Sequence, residues 1–309
     1  KVLNWVMNNG ALVGLVALCI ALFIATPHFL TVNNFLNIGI QAATVAILAF
    51  GMTFVIVTAG IDLSVGAVAA LGAMVSAWFW VEAGLPGWLT LLAGLLTGLL
   101  AGAISGIATA YGKLPAFIAT LAMMSIARGA TLVISQGSPI STAPTVNWLG
   151  RTVAGVPIPI VMMVIAGFVC WFILSRTVLG RSMYAIGGNV EAARLSGLPV
   201  KKILVTVYAL SGLFAGLAGL VMAGRLSSAQ PQAGVGYELD AIAAVVIGGA
   251  SLAGGTGKAT GTLIGAILLA VIRNGLNLLN VSSFWQQIVI GLVIALAVGF
   301  DVLRKKTTT

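Results

Sequence analysis

Apolar stretches of near-constant length recur along this chain, separated by short breaks bearing polar, glycine or proline residues. A helix rises about 1.5 Å per residue, so about 20 apolar residues cross the roughly 30 Å hydrocarbon layer of a bilayer. Measured against that length, the pattern predicts helices at 11–28, 37–58, 64–81, 88–110, 116–134, 157–175, 203–223, 239–252, 261–279 and 284–300. The eighth is short and glycine-rich. It is expected to be a half-helix or one limb of a broken helix, which membranes tolerate only where protein or a water-filled cavity covers the backbone. The predicted fold class is therefore an all-α polytopic membrane protein of about ten transmembrane helices, a single transmembrane domain over 1–309.

Composition sharpens this reading. Hydrophobic residues make up 60% of the chain and charged residues 7%, against roughly 25% charged in soluble proteins, which excludes a water-soluble core of this size. No charge falls between Val2 and Ile61, room for two crossings. The 39 glycines fit a protein whose helices pack closely in lipid through small residues. Gly94, Gly98, Gly102 and Gly106 repeat every fourth residue, and Gly212 and Gly216 do the same later, so each set bares one helix face for a neighbour. Cys19 and Cys170 lie inside apolar stretches and read as small buried hydrophobes, not a disulfide. The chain begins at Lys1 rather than Met, so its true start is expected upstream. The run from Leu12 to Ala25 has no convincing small-residue cleavage site and is expected to stay in the membrane.

The net charge of +9 does not signal nucleic acid, because the basic residues are scattered or sit in short loops without an aromatic-interleaved face. It is a topology signal. With both termini cytoplasmic, the inner side receives Lys1, Lys113, Arg176, Arg181, Arg194, Lys201, Lys202, Lys258, Arg304, Lys305 and Lys306, while only Arg151 and Arg225 fall outside. The positive-inside rule favours that orientation. Trp78, Trp80, Trp88, Trp148 and Trp285 fall near predicted outer ends and Trp5 and Trp171 near inner ends, as interfacial anchors do. The outer loop from Ser135 to Pro157 fits either a connector or a docking surface. The inner loop, 176–202, is too charged to enter lipid and should face the cytoplasm.

A search for catalytic chemistry finds nothing credible. His28 has no acidic or cysteine neighbour, and no metal cluster or nucleophile motif exists. The stretch Gly254-Gly-Thr-Gly-Lys258-Ala-Thr-Gly261 resembles a phosphate loop but carries Leu252 where the first glycine belongs and Ala259 in place of the Mg²⁺-binding hydroxyl. Nucleotide, if used, belongs to another chain. Ionisable groups inside spans are costly and carry functional hypotheses. Arg128 lies near mid-span, as a pathway cation or a buried structural pair. Arg273, with Asn274 and Asn277, sits nearer an outer end from which its side chain can snorkel. Asp62 and Ser64 either line a cavity or cap the third span. A polar strip, Arg225-Leu-Ser-Ser-Ala-Gln-Pro-Gln232 through Tyr237-Glu238-Leu-Asp240, carries Ser228, Gln230, Gln232, Glu238 and Asp240. It is either a plain outer loop or a set of groups for a polyhydroxylated solute. Asn33, Asn34, Asn37 and Gln41 offer further amides. Gly60-Ile-Asp-Leu-Ser-Val-Gly66 faintly echoes Gly249-Ala-Ser-Leu-Ala-Gly-Gly255, and internal repeats with interrupted helices occur in transporters.

The inner loop holds the sharpest signal. Asn189 is placed to cap a short helix from Val190 to Ser196, with Glu191 in its first turn, Gly197 as the stop and Pro199 beyond. Such a helix fits a groove on another protein, or forms an ordered lid with no partner. Its sequence, Glu191-Ala-Ala-Arg-Leu-Ser-Gly197, resembles the EAA-x-x-x-G signature of ABC importer permeases. Together with Gly180-Arg-Ser-Met-Tyr-Ala-Ile-Gly-Gly-Asn189, Gly60 to Gly66, Ala116 to Leu121, Arg225 to Pro231, Gly236 to Val246 and Gly248 to Gly255, it is similar to the ribose-type monosaccharide permease family over nearly the whole chain.

That resemblance implies a homodimeric, vitamin-B12-importer-like permease in the bacterial inner membrane, with the path between two copies, a periplasmic sugar-binding protein outside and ATP-binding subunits inside. The chain itself binds no cofactor, since ATP and Mg²⁺ belong to the partner ATPase, and it is not an enzyme. Asn189, Glu191, Ala192, Ala193, Arg194 and Gly197 become the coupling contact. Asn34, Asn37, Gln41, Asp62, Ser64, Arg128, Ser228, Gln230, Gln232, Glu238, Asp240 and Asn274 become candidates for the path or its gates. An ion-coupled secondary sugar transporter or channel using Asp62 or Arg128 is the alternative.

Overall fold

The computed structural model describes residues 10–306, of which 297, 298 and 300–306 are described by backbone alone. Lys1 and Trp5 lie outside the described residues, as do the side chains of Arg304, Lys305 and Lys306, so the charges expected to hold both termini inside are not among the structural observations. The chain folds as helices α1 Gly10–Ala25, α2 Val32–Val57, α3 Val65–Val81, α4 Gly87–Ala110, α5 Ala116–Ser135, α6 Pro144–Trp148, α7 Ile158–Arg176, α8 Val178–Gly188, α9 Val190–Leu195, α10 Val200–Leu226, α11 Tyr237–Ile247, α12 Ala259–Leu278 and α13 Ser283–Lys306. Four two-residue strands are added: β1 Ile140–Ser141, β2 Thr152–Val153, β3 Val156–Pro157 and β4 Ser228–Ala229.

Each predicted apolar segment coincides with a helix. Six of them, α2, α4, α5, α7, α10 and α12, are long and apolar enough to cross a membrane, while α1, α3 and the apolar part of α13 are shorter. Helix α2 starts five residues before the predicted 37, because the Thr31 hydroxyl accepts the Asn34 amide at 3.2 Å and caps it. The short eighth segment is an 11-residue helix, α11, about 16 Å long and so about half the hydrocarbon layer. The loop from Ser135 to Pro157 is ordered: it forms β1, α6 and the β2–β3 hairpin, and β1 pairs antiparallel with β4 in the register Ile140 to Ala229.

Helix α2 is the hub, buried without interruption from Ala42 to Thr58 and packed by α3, α7, α10, α11 and α12. The interior mixes many alanines and glycines with large side chains such as Phe50, Phe54 and Tyr208, and the exterior still carries Leu, Ile, Val and Phe such as Ile24, Val133, Phe168 and Phe284. Such an exterior suits a lipid solvent, where close backbone approach replaces the hydrophobic effect as the source of helix association. The two glycine sets face each other. A methyl group at Gly98 would overlap the Gly212 carbonyl oxygen and one at Gly102 would overlap that of Tyr208, so α4 and α10 touch backbone to backbone. Cys19 and Cys170 are free thiols. Trp171 lies under the Arg176 guanidinium at 5.7 Å, while Trp80, expected as an interfacial anchor, instead packs partly buried against the core.

Candidate coupling face and translocation elements

The chain leaves α7 through Thr177, whose hydroxyl accepts the Gly180 amide at 3.1 Å and starts α8. At the end of α8 the Asn189 side chain accepts the Ala192 amide at 3.0 Å and opens α9. The stop is a Schellman turn: Gly197, at φ 83°, donates to Arg194, and Leu198 donates to Ala193. Of the expected coupling residues, Asn189, Glu191, Ala192, Arg194 and Gly197 are exposed and Ala193 is buried, anchoring the helix from beneath. Glu191 and Arg194 pair at 2.8 Å with both side chains about two-thirds exposed, a geometry worth little to stability but one that presents both charges outward. Tyr184 of α8 donates its hydroxyl to the Gly257 carbonyl at 2.7 Å. Burial pushes this phenol above its ordinary value, so it remains a donor.

Asp62 sits in the break between α2 and α3, 1% exposed. One of its carboxylate oxygens accepts the Ser64 amide at 2.9 Å and the Ser64 hydroxyl at 2.6 Å, and the other accepts the Ser211 hydroxyl of α10 at 2.8 Å. Ser64 holds the N-cap position of α3 but its hydroxyl accepts no helix amide; instead its own amide and hydroxyl are both donated to Asp62 two residues upstream. No cation pairs with this carboxylate among the described residues. The Tyr208 hydroxyl lies buried nearby without a partner.

The strip after α10 is more than a surface loop. Arg128 of α5 donates to the carbonyls of Pro231, at 3.2 Å, and Ala233, at 2.8 Å, and Gly234 lies against the Gly66 backbone at the start of α3. The segment 230–236 thus runs beside the middle of α5, with two of its carbonyls satisfied by a guanidinium. Glu238 reaches the same contact near Gly66. Ser228, in β4, pairs with Ser141 of β1, Gln230 donates to its hydroxyl at 2.8 Å, and Gln232 is exposed.

Arg273 does not snorkel. It binds Asp240 at 2.6 Å, the carboxylate side chain being 6% exposed, and the pair lines a cavity of about 170 Å³ with Gln41, Arg225 and Tyr237 among its walls. Asn34 and Asn274 exchange amide bonds at 3.0 and 2.7 Å, both buried, which ties α2 to α12 and leaves them facing each other. Asn37 is exposed at the head of α2. The candidates therefore divide into the Asp62–Ser64 turn, the Arg128–Glu238 strip, the Gln41–Asp240 cavity and the Asn34–Asn274 pair, with Asn37 apart from all four. Tyr184, Ser211, Arg225, Tyr237 and Arg273 join them from structure. The sequence signal was present for Arg273, an ionisable residue in a span, but its partner is 33 residues away and invisible to local pattern.

The Gly254-to-Gly261 stretch holds no phosphate-loop geometry: it is the turn between α11 and α12, with Lys258 at the N-cap position of α12. It packs on the end of α2, where the Gly255 amide donates to the Val57 carbonyl at 2.9 Å and Gly254 lies against Ala59, so the second glycine turn meets the chain just before the first. Among the described residues no cluster of His, Cys, Asp and Glu fit to hold a metal occurs.

An apolar exterior around a buried hub helix, with six helices long and apolar enough to cross a bilayer, marks a multi-pass membrane protein. The model of the family described as branched-chain amino acid transport system / permease component matches residues 34–298, and this chain belongs to that family. It is 49% identical over 305 residues to the ribose import permease protein of Escherichia coli K12, covering 96% of this chain and 94% of that one. The ribose import permease protein of Bacillus subtilis is 48% identical, with 96% and 93% covered. The L-arabinose transport system permease protein of Escherichia coli K12 is 38% identical, with 96% and 91% covered. No solved structure matches the chain.

Proposed function

We propose that this chain is the permease subunit of an ATP-driven ABC importer that carries a monosaccharide, ribose foremost, across the bacterial inner membrane. The observation that carries this reading is near-half identity over almost the full length to ribose import permeases. The exposed, doubly capped α9 supports it by presenting Glu191 and Arg194 outward from the charged loop. In this reading two copies form the path. A periplasmic sugar-binding protein docks outside and supplies affinity, and ATP-binding subunits, which hold ATP and Mg²⁺, engage Asn189 to Gly197. About ten helices are taken to lie in the membrane in the vitamin-B12-importer manner, with α11 half-crossing and both termini cytoplasmic. The chain works as a conduit by alternating access, with the Asp62 turn, the Arg128 strip and the Gln41–Asp240 cavity as path or gate elements.

The test is uptake of labelled ribose into proteoliposomes containing this chain, its ATPase and its binding protein. Uptake requiring both ATP and the binding protein is expected. Uptake indifferent to ATP and driven by a proton or sodium gradient would place the chain among secondary carriers.

A further inference from the structure

Three backbones meet at the root of the coupling helix, with only the Ala59 methyl group beside them. The end of α8 places Gly187 against the end of α2 and the α11–α12 turn, where an added Cβ would overlap the Val57 carbonyl oxygen and crowd the Gly255 amide. A Cβ at Gly254, which adopts φ 86°, would lie 2.8 Å from the Gly187 carbonyl oxygen and 2.7 Å from the Ala59 methyl group. The Gly255 amide closes the junction by donating to Val57, and the Tyr184 hydroxyl fastens α8 to Gly257 at 2.7 Å. Asn189, the first residue of the α9 cap, follows this junction by a single residue, Gly188, whose Cβ would meet open space.

Packed backbone passes displacement with little loss, because interiors have low compressibility and no flexible side chain here absorbs the movement. The two elements receiving it are those that are interrupted: the turn leading back into the half-length α11, and the end of α2 leading to the buried Asp62 turn. The other contacts of α9 are the buried Ala193 and the connection to α10 through Leu198 and Pro199, and among the described residues neither hydrogen-bonds to the α11–α12 turn.

We infer that the Gly187–Val57–Gly254/Gly255 junction is the transmission joint of the permease, with Tyr184 as its positioning residue, carrying movement of α9 into the α11–α12 turn and the end of α2. This rests on the ABC importer reading. It adds residues outside the coupling signature and predicts uncoupling without loss of docking.

The experiment compares Tyr184→Phe, Gly187→Ala and Gly188→Ala with the unaltered chain in the complete transporter. The readouts are co-purified ATPase, ATP hydrolysis per complex, and ribose taken up per ATP hydrolysed. Tyr184→Phe keeps the ring and removes one donor, so docking and hydrolysis stay within about twofold while uptake per ATP falls about fivefold, the scale of one neutral hydrogen bond. Gly187→Ala lowers the same ratio further, and Gly188→Ala leaves it unchanged. An unchanged ratio in Tyr184→Phe, or equal behaviour of the two alanine variants, would overturn the joint. Loss of ATPase binding in Tyr184→Phe would overturn it too, by making the residue part of the docking surface. An unaltered complex that takes up ribose without ATP would overturn the importer reading itself.

Discussion

Asp62 shows how a buried carboxylate is held where no cation reaches it. Its three accepted hydrogen bonds come from two serines and one backbone amide, each worth about 1 kcal/mol net. An asparagine keeps one oxygen for Ser64 and offers its NH₂ to the Ser211 hydroxyl, which is free to turn and accept. Asp62→Asn should therefore unfold within about 1 kcal/mol of the parent, while Asp62→Ala, losing all three bonds, should cost about 3 kcal/mol; thermal unfolding in detergent measures both. Retained ATP-driven uptake in Asp62→Asn is expected, and its loss would show that transport uses the charge itself. Asp240 differs because it has a cation. Asp240→Asn strands Arg273, and since that side chain is 32% exposed the cost should fall below the 3–5 kcal/mol of a fully buried broken pair, at about 1–3 kcal/mol. The chemical oddity of these residues was legible in sequence, since each is an ionisable group amid apolar neighbours. Their partners were not, because Ser211 and Arg273 are brought in by helix packing over long separations.

The apolar helices were legible to within several residues of their ends, because spans of lipid length and glycine at four-residue spacing are both local patterns, while α6, α8 and the four short strands were not. What local pattern cannot say is which faces meet. The stripe on α4 finds the stripe on α10, and the clash of a Gly98 Cβ with the Gly212 carbonyl oxygen leaves no slack. Gly98→Leu should force these helices apart and abolish a monodisperse peak in size-exclusion chromatography, with expression reduced; normal yield and size would refute the packing argument. On α9 the opposite holds, since the surface is open. Glu191→Lys breaks only an exposed pair and should leave the melting temperature unmoved, while co-purification of the ATPase falls about tenfold, the loss of one or two interfacial charge contacts. The helix, its cap and its stop were all readable from Asn189, Glu191 and Gly197. The joint beneath it was not, because Gly187 and Gly254 are 67 positions apart and nothing in the sequence pairs them.

At the scale of the molecule, the arrangement predicts that the two long loops lie on opposite sides of the bilayer. Between the β2–β3 hairpin and α9 lies a single long apolar helix, α7, of 19 residues, about 28 Å and so enough for one crossing. Helix α8 adds no second crossing: it is 11 residues long and carries Arg181 exposed, and it turns back to dock on the α11–α12 turn through Tyr184. Val153, 45% exposed on the hairpin, and Leu195, 80% exposed on α9, must then face different compartments. Cysteines placed at these two positions, with Cys19 and Cys170 replaced by alanine, should react with a membrane-impermeant maleimide from opposite sides: Val153→Cys in intact spheroplasts and Leu195→Cys in inverted vesicles. The charge distribution sets which is which, since Arg176, Arg181, Arg194, Lys201 and Lys202 crowd the α9 side and basic loops stay cytoplasmic. Labelling of both from one side would mean that α7 does not cross, and α9 would then be unable to meet a cytoplasmic ATPase while the hairpin faces a periplasmic partner.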